Sequence, residues 1–288
     1  MKVLMMMLVM VCGGSVFAQN NNGEFVVPFS NPAAAGKLVV DIKTGSVVVK
    51  GTARKDVLVK YTSEKYEDND RDEDNDDDRH KPKGHVNVNV DNGRKGKEGL
   101  KKISGGAMDL EASEYQNTVK ITSDNWNESM TVIVEVPSTI DMRVKTYNDG
   151  DLDVSNITGV LELINYNGAI TAKGISGTVV AETYNGDIKI VYDKLTPDSP
   201  LSYVNYNGDI DLTFPSTLKA SVKMKTKQGD IYSGFDGQIQ KSTPVIKNES
   251  KGGATKVKID DWVKMDINGG GAEITLKSYN GDIILRKK

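Results

Sequence analysis

The side chains able to do chemistry in this chain are few, and most of them recur at a fixed spacing. Tyr147-Asn148-Asp149-Gly150-Asp151-Leu152 returns as Tyr166-Asn167-Gly168-Ala169-Ile170, Tyr184-Asn185-Gly186-Asp187-Ile188, Tyr206-Asn207-Gly208-Asp209-Ile210 and Tyr279-Asn280-Gly281-Asp282-Ile283, with a degenerate copy at Lys227-Gln228-Gly229-Asp230-Ile231. This sets up two rows of functional groups. The carboxylates Asp151, Asp187, Asp209, Asp230 and Asp282 could do acid–base work or share a cation. The phenols Tyr147, Tyr166, Tyr184, Tyr206 and Tyr279 could line one face and lie against a ligand such as a sugar ring, or could form a packing row at a corner.

The rest of the catalytic inventory is thin. The chain has one Cys, Cys12, and two His, His80 and His85, both within a charged stretch. No Ser-His-Asp set can be assembled on ordered elements, and no Gly-x-Ser-x-Gly elbow, phosphate loop or Cys/His metal spacing occurs. Catalytic acids of polysaccharide-cleaving β-helices interrupt their repeat, whereas these Asp sit on it, which points to architecture. The expectation is therefore no enzyme and no cofactor, a carbohydrate-active enzyme being the weakest alternative. Asp68, Asp70, Asp72 and Asp74 alternate as in a calcium loop, but Glu73 replaces the Gly and Arg79 the terminal Glu that an EF-hand requires. What remains there is a loose calcium site or a plain charged loop.

The elements that must carry these rows follow from spacing. Gly150, Gly168, Gly186, Gly208 and Gly229 are separated by 18, 18, 22 and 21 residues, and Gly159 and Gly177 mark the midpoints of two units. Apolar residues alternate before each Tyr (Leu161 and Leu163, Val179 and Ala181, Ile274 and Leu276) and again after each turn (Ile188 and Ile190, Ile210 and Leu212, Ile283 and Leu285). Period two over short stretches means strands with one buried face, and Asn-Gly bends the chain between them. A single unit cannot bury its apolar face, but stacked units bury one another. The expected fold is an all-β solenoid of short strands and Asn-Gly turns, with a β-sandwich as the alternative.

Stacking has consequences for both polar rows. Asn148, Asn167, Asn185, Asn207 and Asn280 would exchange amide hydrogen bonds along the axis. Asp residues one coil apart, about 4.8 Å, would repel by about 0.9 kcal/mol in water and about 3.5 kcal/mol at an effective dielectric near 20. They must therefore face water, splay or share a cation.

Composition and charge bound the rest. The 288 residues carry 38% hydrophobic and 6% aromatic side chains and a formal charge of -3, a globular balance without a long apolar run after residue 18. Residues 1–18 read as a signal peptide: Lys2, an apolar stretch over Val3–Val11, and Ala18 ahead of Gln19. Cleavage there would remove Cys12, leaving no disulfide; lipidation of Cys12 is disfavoured by Val11 before it. Glu67–Asp78 holds nine acids and one Arg, and Arg79–Lys102 holds eight basic residues against two acids. Such blocks mark a solvated insertion. The resulting organisation is a signal peptide over 1–18, N-terminal β coils over 19–66, a charged, disordered insertion over 67–104 and a repeat solenoid over 105–288. Scattered basic residues and expected export argue against nucleic-acid binding.

The Tyr-Asn-Gly-Asp-Ile repeats, the run Val132–Pro137 followed by Met142–Thr146, the opening strands Leu38–Asp41, Gly45–Gly51 and Val57–Lys60, and the ending Tyr279–Leu285 resemble the bacterial adhesin-like family of β-strand-repeat proteins, formally a domain of unknown function. The resemblance covers residues 24–66 and 105–286, and departs from the pattern at 67–102 and at 234–263. It implies a right-handed β-helix-like, exported, non-catalytic protein in the periplasm, at the cell surface or outside the cell. The functional expectation is a surface for envelope glycan or surface protein, with the five Tyr as candidate ligand-binding residues. The alternative is a structural or envelope-maintenance protein without a specific ligand.

Overall fold

The computed structural model describes residues 22–64, 109–195, 200–241, 247–251, 254–258 and 262–288. The expected signal peptide, Cys12, the acidic and basic blocks, both His and the four Asp of the calcium reading lie outside the described residues.

Among the described residues every regular element is a strand. Two sheets face each other, and the chain crosses from one to the other at each Tyr-Asn-Gly corner. Asp141–Asn148, Leu161–Asn167, Val179–Asn185 and Leu201–Asn207 run parallel in the first sheet. After each corner, Leu152–Ser155, Ile170–Ile175, Ile188–Tyr192 and Ile210–Phe214 run parallel in the second. Parallel neighbours reached through a full turn of chain define a solenoid and exclude a sandwich of antiparallel hairpins.

The register explains the alternation in the sequence. Leu161 pairs with Val179, Leu163 with Ala181 and Ala181 with Tyr203 on the inner side of the first sheet. Leu152, Ile170, Ile188, Ile210 and Ile283 form one continuous inner row of the second, each fully buried. Each such side chain contributes about 1.5–3 kcal/mol when removed from water, so the core is a set of aliphatic rows running along the axis.

Coil order in space differs from order in sequence at both ends. The strand Lys37–Thr52 forms an entire coil by itself, bending at Gly45. It lies between the coil of Thr118–Ser123 and Ser129–Pro137 on one side and that of Asp141–Asn148 and Leu152–Ser155 on the other. At the far end, Ala272–Lys277 and Ile283–Lys287 lie between the coil of Leu201–Asn207 and Ile210–Phe214 and that of Ala220–Lys225 and Ile231–Ser233. The corner glycines therefore stack in the order 45, 150, 168, 186, 208, 281, 229. Segments separated by the insertion thus share one stack.

The stack is tight at this corner. A Cβ on Gly168 would sit 2.1 Å from the carbonyl oxygen of Gly150, and one on Gly281 2.0 Å from that of Gly208. Antiparallel strands close both ends: Glu111–Tyr115 and Asp56–Glu64 at one, Val263–Ile267 and Gly237–Lys241 at the other. Asn22–Pro28 extends the second sheet along Asp56–Glu64, and Lys247–Lys251 with Ala254–Lys258 makes a separate hairpin.

Candidate functional site

Each corner turns three repeat positions into three ladders along the axis. The Asn ladder forms as the spacing predicts. Asn167 donates to Asn148 Oδ1 at 2.9 Å, and Asn185 to Asn167, Asn207 to Asn185 and Asn280 to Asn207 each at 2.7 Å. Gln228 follows Asn280 in the stack, and Asn280 Oδ1 is left buried without a partner there.

The Asp row resolves its repulsion by a route not foreseen from spacing. Four of the five carboxylates accept a main-chain N–H from the next coil: Asp151 from Ala169 at 2.8 Å, Asp187 from Asp209 at 2.9 Å, Asp209 from Asp282 and Asp282 from Asp230 at 2.8 Å. A carboxylate fixed on an amide dipole loses part of its repulsion with its neighbour. These carboxylates serve the corner rather than converging on a reacting centre. Among the described residues no group of three or more His, Cys, Asp or Glu is placed to hold a metal ion.

Beneath the corner runs a buried polar row, Thr146, Asn165, Thr183, Asn205 and Ser278. Asn165 Nδ2, Thr183 Oγ1 and Asn205 Nδ2 each donate to the carbonyl of the preceding glycine in the stack, at 3.0, 3.1 and 2.9 Å. This row ties each corner to the one before it in the stack.

The five Tyr converge on the outer side of the first sheet. Tyr147 and Tyr166 stack with centroids 5.1 Å apart and planes 7° from parallel; Tyr184 and Tyr206 stack at 4.6 Å and 3°, and Tyr206 and Tyr279 at 4.7 Å and 9°. Such pairs contribute about 0.5–1.5 kcal/mol beyond area burial. The rings turn their faces to one another, so a sugar stacking on every ring face is not what this row offers. It offers a strip of ring edges and hydroxyls, with Tyr166, Tyr184 and Tyr206 between 38% and 51% exposed.

Lysines stand over both ends of the strip. Lys43 Nζ lies 4.4 Å from the Tyr147 centroid, and Lys227 Nζ 4.4 Å from that of Tyr279 while bonding its hydroxyl at 2.7 Å. Burial opposes the charge of Lys43, but the Asp41 carboxylate at 2.8 Å and the Tyr147 phenol together raise its pKa. The Tyr279 hydroxyl raises that of Lys227. These caps were legible in principle: Lys43-Thr44-Gly45-Ser46-Val47 and Lys227-Gln228-Gly229-Asp230-Ile231 align with Tyr-Asn-Gly-Asp-Ile, Lys replacing Tyr at each flank. Trp126, packed edge-on to Tyr147 at 5.5 Å, carries no repeat signal.

Beside the strip, Ile164 and Val204 are half-buried and Val180 is exposed. With Tyr166, Tyr184 and Tyr206 they share one mixed face across three adjacent parallel strands. Glu182 stands directly between Ile164 and Val204, and Glu162 beside Val180, facing Arg143 at 3.4 Å.

Residues 144–262 match the family model described as Toastrack DUF4097. The Toastrack match spans the coils that carry the corners from Tyr147 through Lys227, and it is a domain of unknown function, as the repeat resemblance implies. Its solenoid-like fold agrees with the parallel stack. A crystal structure described as "a putative cell adhesion protein from Clostridium sporogenes ATCC 15579" superposes with a TM-score of 0.46 at 12% identity, covering 93% of this chain and all of its own. No curated protein matches the chain. Among the described residues no helix is long and apolar enough to cross a membrane.

Proposed function

We propose that this is an exported, non-catalytic, adhesin-like solenoid whose outer first-sheet face binds glycan or protein at the cell envelope. One observation carries the reading: Tyr166, Tyr184 and Tyr206 stand outward side by side on three parallel strands, with Ile164, Val180 and Val204 interspersed with Glu162 and Glu182 behind them. Exposed aromatic side chains mixed with aliphatic and charged neighbours are an ordinary form of interaction surface. The absence of convergent acids and bases on that face supports binding over turnover, and the signal-like leader over residues 1–18 supports export.

Mutual ring stacking favours a second reading, in which the Tyr row serves only the solenoid and no specific ligand exists. Tyr184→Ala with Tyr206→Ala separates the two, with Tyr184→Phe and Tyr206→Phe as the variant that keeps the stack. Lost binding to cells or a glycan array at native circular dichroism supports the surface. Binding unchanged in both variants refutes it. Hydrolysis or elimination of any polysaccharide that depends on Asp187 or Asp209 refutes both readings.

A further inference from the structure

The Tyr strip is two stacks rather than one. Tyr147 packs on Tyr166, while Tyr184 packs on Tyr206 and Tyr206 on Tyr279, every pair within 9° of parallel. Tyr166 and Tyr184 also lie on adjacent parallel strands, between the pairs Asn165–Thr183 and Asn167–Asn185, yet their rings do not stack. The main chain is continuous across this break, where Asn185 donates to Asn167 Oδ1 at 2.7 Å. The interruption therefore lies in the side chains. Each of the two rings spends its far face on its own stack, so each turns a free face towards the coil of the other. Exposure follows the break: Tyr166 is 45% and Tyr184 51% exposed, against 38% for Tyr206, which is stacked on both faces.

What closes the row elsewhere shows which chemistry these faces accept. Its two outermost ring faces are covered by ammonium groups, Lys43 over Tyr147 and Lys227 over Tyr279, each reaching across from the neighbouring strand. A ring face attracts a cation through its quadrupole. At the break a carboxylate stands ready as the counter-charge. Glu182, two residues before Tyr184 and on the same side of the strand, is exposed and set between Ile164 and Val204. The basic groups on this part of the face are placed elsewhere. Arg143 faces Glu162, and Lys145, on the strand of Tyr147, lies 4.4 Å from that ring and 5.5 Å from Tyr166. Among the described residues no lysine or arginine pairs with Glu182.

We propose that this break receives a lysine or arginine side chain from a partner protein, its cation against the free faces of Tyr166 and Tyr184 and its charge met by Glu182. The proposal rests on the outer face being a binding surface and names the group that surface takes. Two features favour a basic side chain over an amino sugar. The chain's own Lys43 and Lys227 already close the ends of the row in this way, which leaves the break as the open position of the same kind. Exposed Val180 and half-buried Ile164 beside the break give the aliphatic stem of such a side chain a surface to lie on.

The test follows the tyrosine ring signals of the full chain by NMR, each assigned through its Phe variant, during titration with tetralysine, its fully acetylated form and glucosamine. The rings of Tyr166 and Tyr184 should move saturably with tetralysine, those of Tyr206 and Tyr279 less, and none with the acetylated peptide. The response should weaken as salt is raised through about 0.1 M. Glu182→Gln should weaken binding about threefold and Tyr184→Ala about threefold or more, each with an unchanged circular dichroism spectrum. Unmoved rings, equal movement along the whole row, an equal response to the acetylated peptide, full retention in Glu182→Gln, or a response to glucosamine without one to tetralysine overturns it. The Tyr184→Ala and Tyr206→Ala variant separates the two readings. If that variant loses cell or glycan binding while tetralysine leaves the parent's rings unmoved, the outer face stands and the cation site falls; moved rings with cell binding kept in that variant give the reverse.

Discussion

Three glycines separate backbone conformation from close stacking as sources of stability, because each isolates a different combination. Gly269 has φ +89° with nothing near an added Cβ; Gly177 needs no positive φ, but its Cβ would meet Gly159 O at 1.9 Å; Gly186 combines φ +135° with Gly168 O at 2.3 Å. Gly269→Ala should cost about 1 kcal/mol, a left-handed penalty of about 1–2 kcal/mol partly offset by reduced freedom of the unfolded chain. At Gly177 the Gly159 carbonyl would have to retreat from 1.9 Å to ordinary contact at 3.4 Å, while Thr158 O also lies at 2.7 Å. Forcing two packed carbonyls aside costs about 3–5 kcal/mol. Gly186→Ala adds the conformational term and disturbs the carbonyl that holds the buried Thr183 hydroxyl at 3.1 Å, for about 4–6 kcal/mol. Urea denaturation followed by circular dichroism gives all three on one scale. Gly177→Ala within 1 kcal/mol of the parent protein, about the size of an ordinary surface change, or Gly269→Ala as costly as Gly186→Ala, would refute the tight stacking of corners.

Two further outcomes follow from buried polar groups. Tyr192 and Tyr203 bond hydroxyl to hydroxyl with both side chains fully buried, so Tyr203→Phe, which orphans the Tyr192 hydroxyl, should cost about 1–3 kcal/mol, and the double Phe variant less. Burial raises both phenol pKa values well above 10.0, against the hydrogen bond in the case of Tyr192. Raised values leave this stability intact below the unfolded pKa near 10 and erode it as pH rises from there towards the folded ones, so above about pH 10 the urea midpoint should fall more steeply for the parent than for the double variant. Asn205 Oδ1 is buried without a partner while Thr183 fills the same row one coil away; Asn205→Thr should keep a donor to Gly186 O and raise stability by about 1 kcal/mol, and a fall in urea midpoint would count against it.

How much of this was legible depended on which interactions are local. Alternation around Leu161, Ile188 and Ile210 disclosed strands with one buried face, and the Gly spacing disclosed a stack, because both report on chain neighbours and on a repeating partner. The Asn ladder followed from the same period. The role of the Asp row did not, since it depends on where the next coil's amide sits rather than on the residue type. Insertion of the 37–52 and 272–287 coils was hidden for a different reason: pairing across the stack leaves no trace in spacing when more than fifty residues intervene. Trp262 lies in the stretch where the repeat pattern breaks, just before the strand Val263–Ile267, so periodicity could not bring it to Lys223 and Lys225.

The coils 37–52 and 272–287 are each threaded one coil inward and gripped by parallel ladders on two sides. A tension applied at Lys288 cannot peel an outermost coil away one hydrogen bond at a time. It must slide the 272–287 coil between its neighbours, loading many main-chain bonds together. Synthesis is constrained in the same way. The 37–52 coil finds both neighbours only after residues through 155 have been made, and the 220–233 coil gains its parallel partner only when residues 272–285 arrive. The stack thus closes on its inserted coils rather than growing from one end, and that arrangement converts a pull on the chain into shear across main-chain ladders held on both sides.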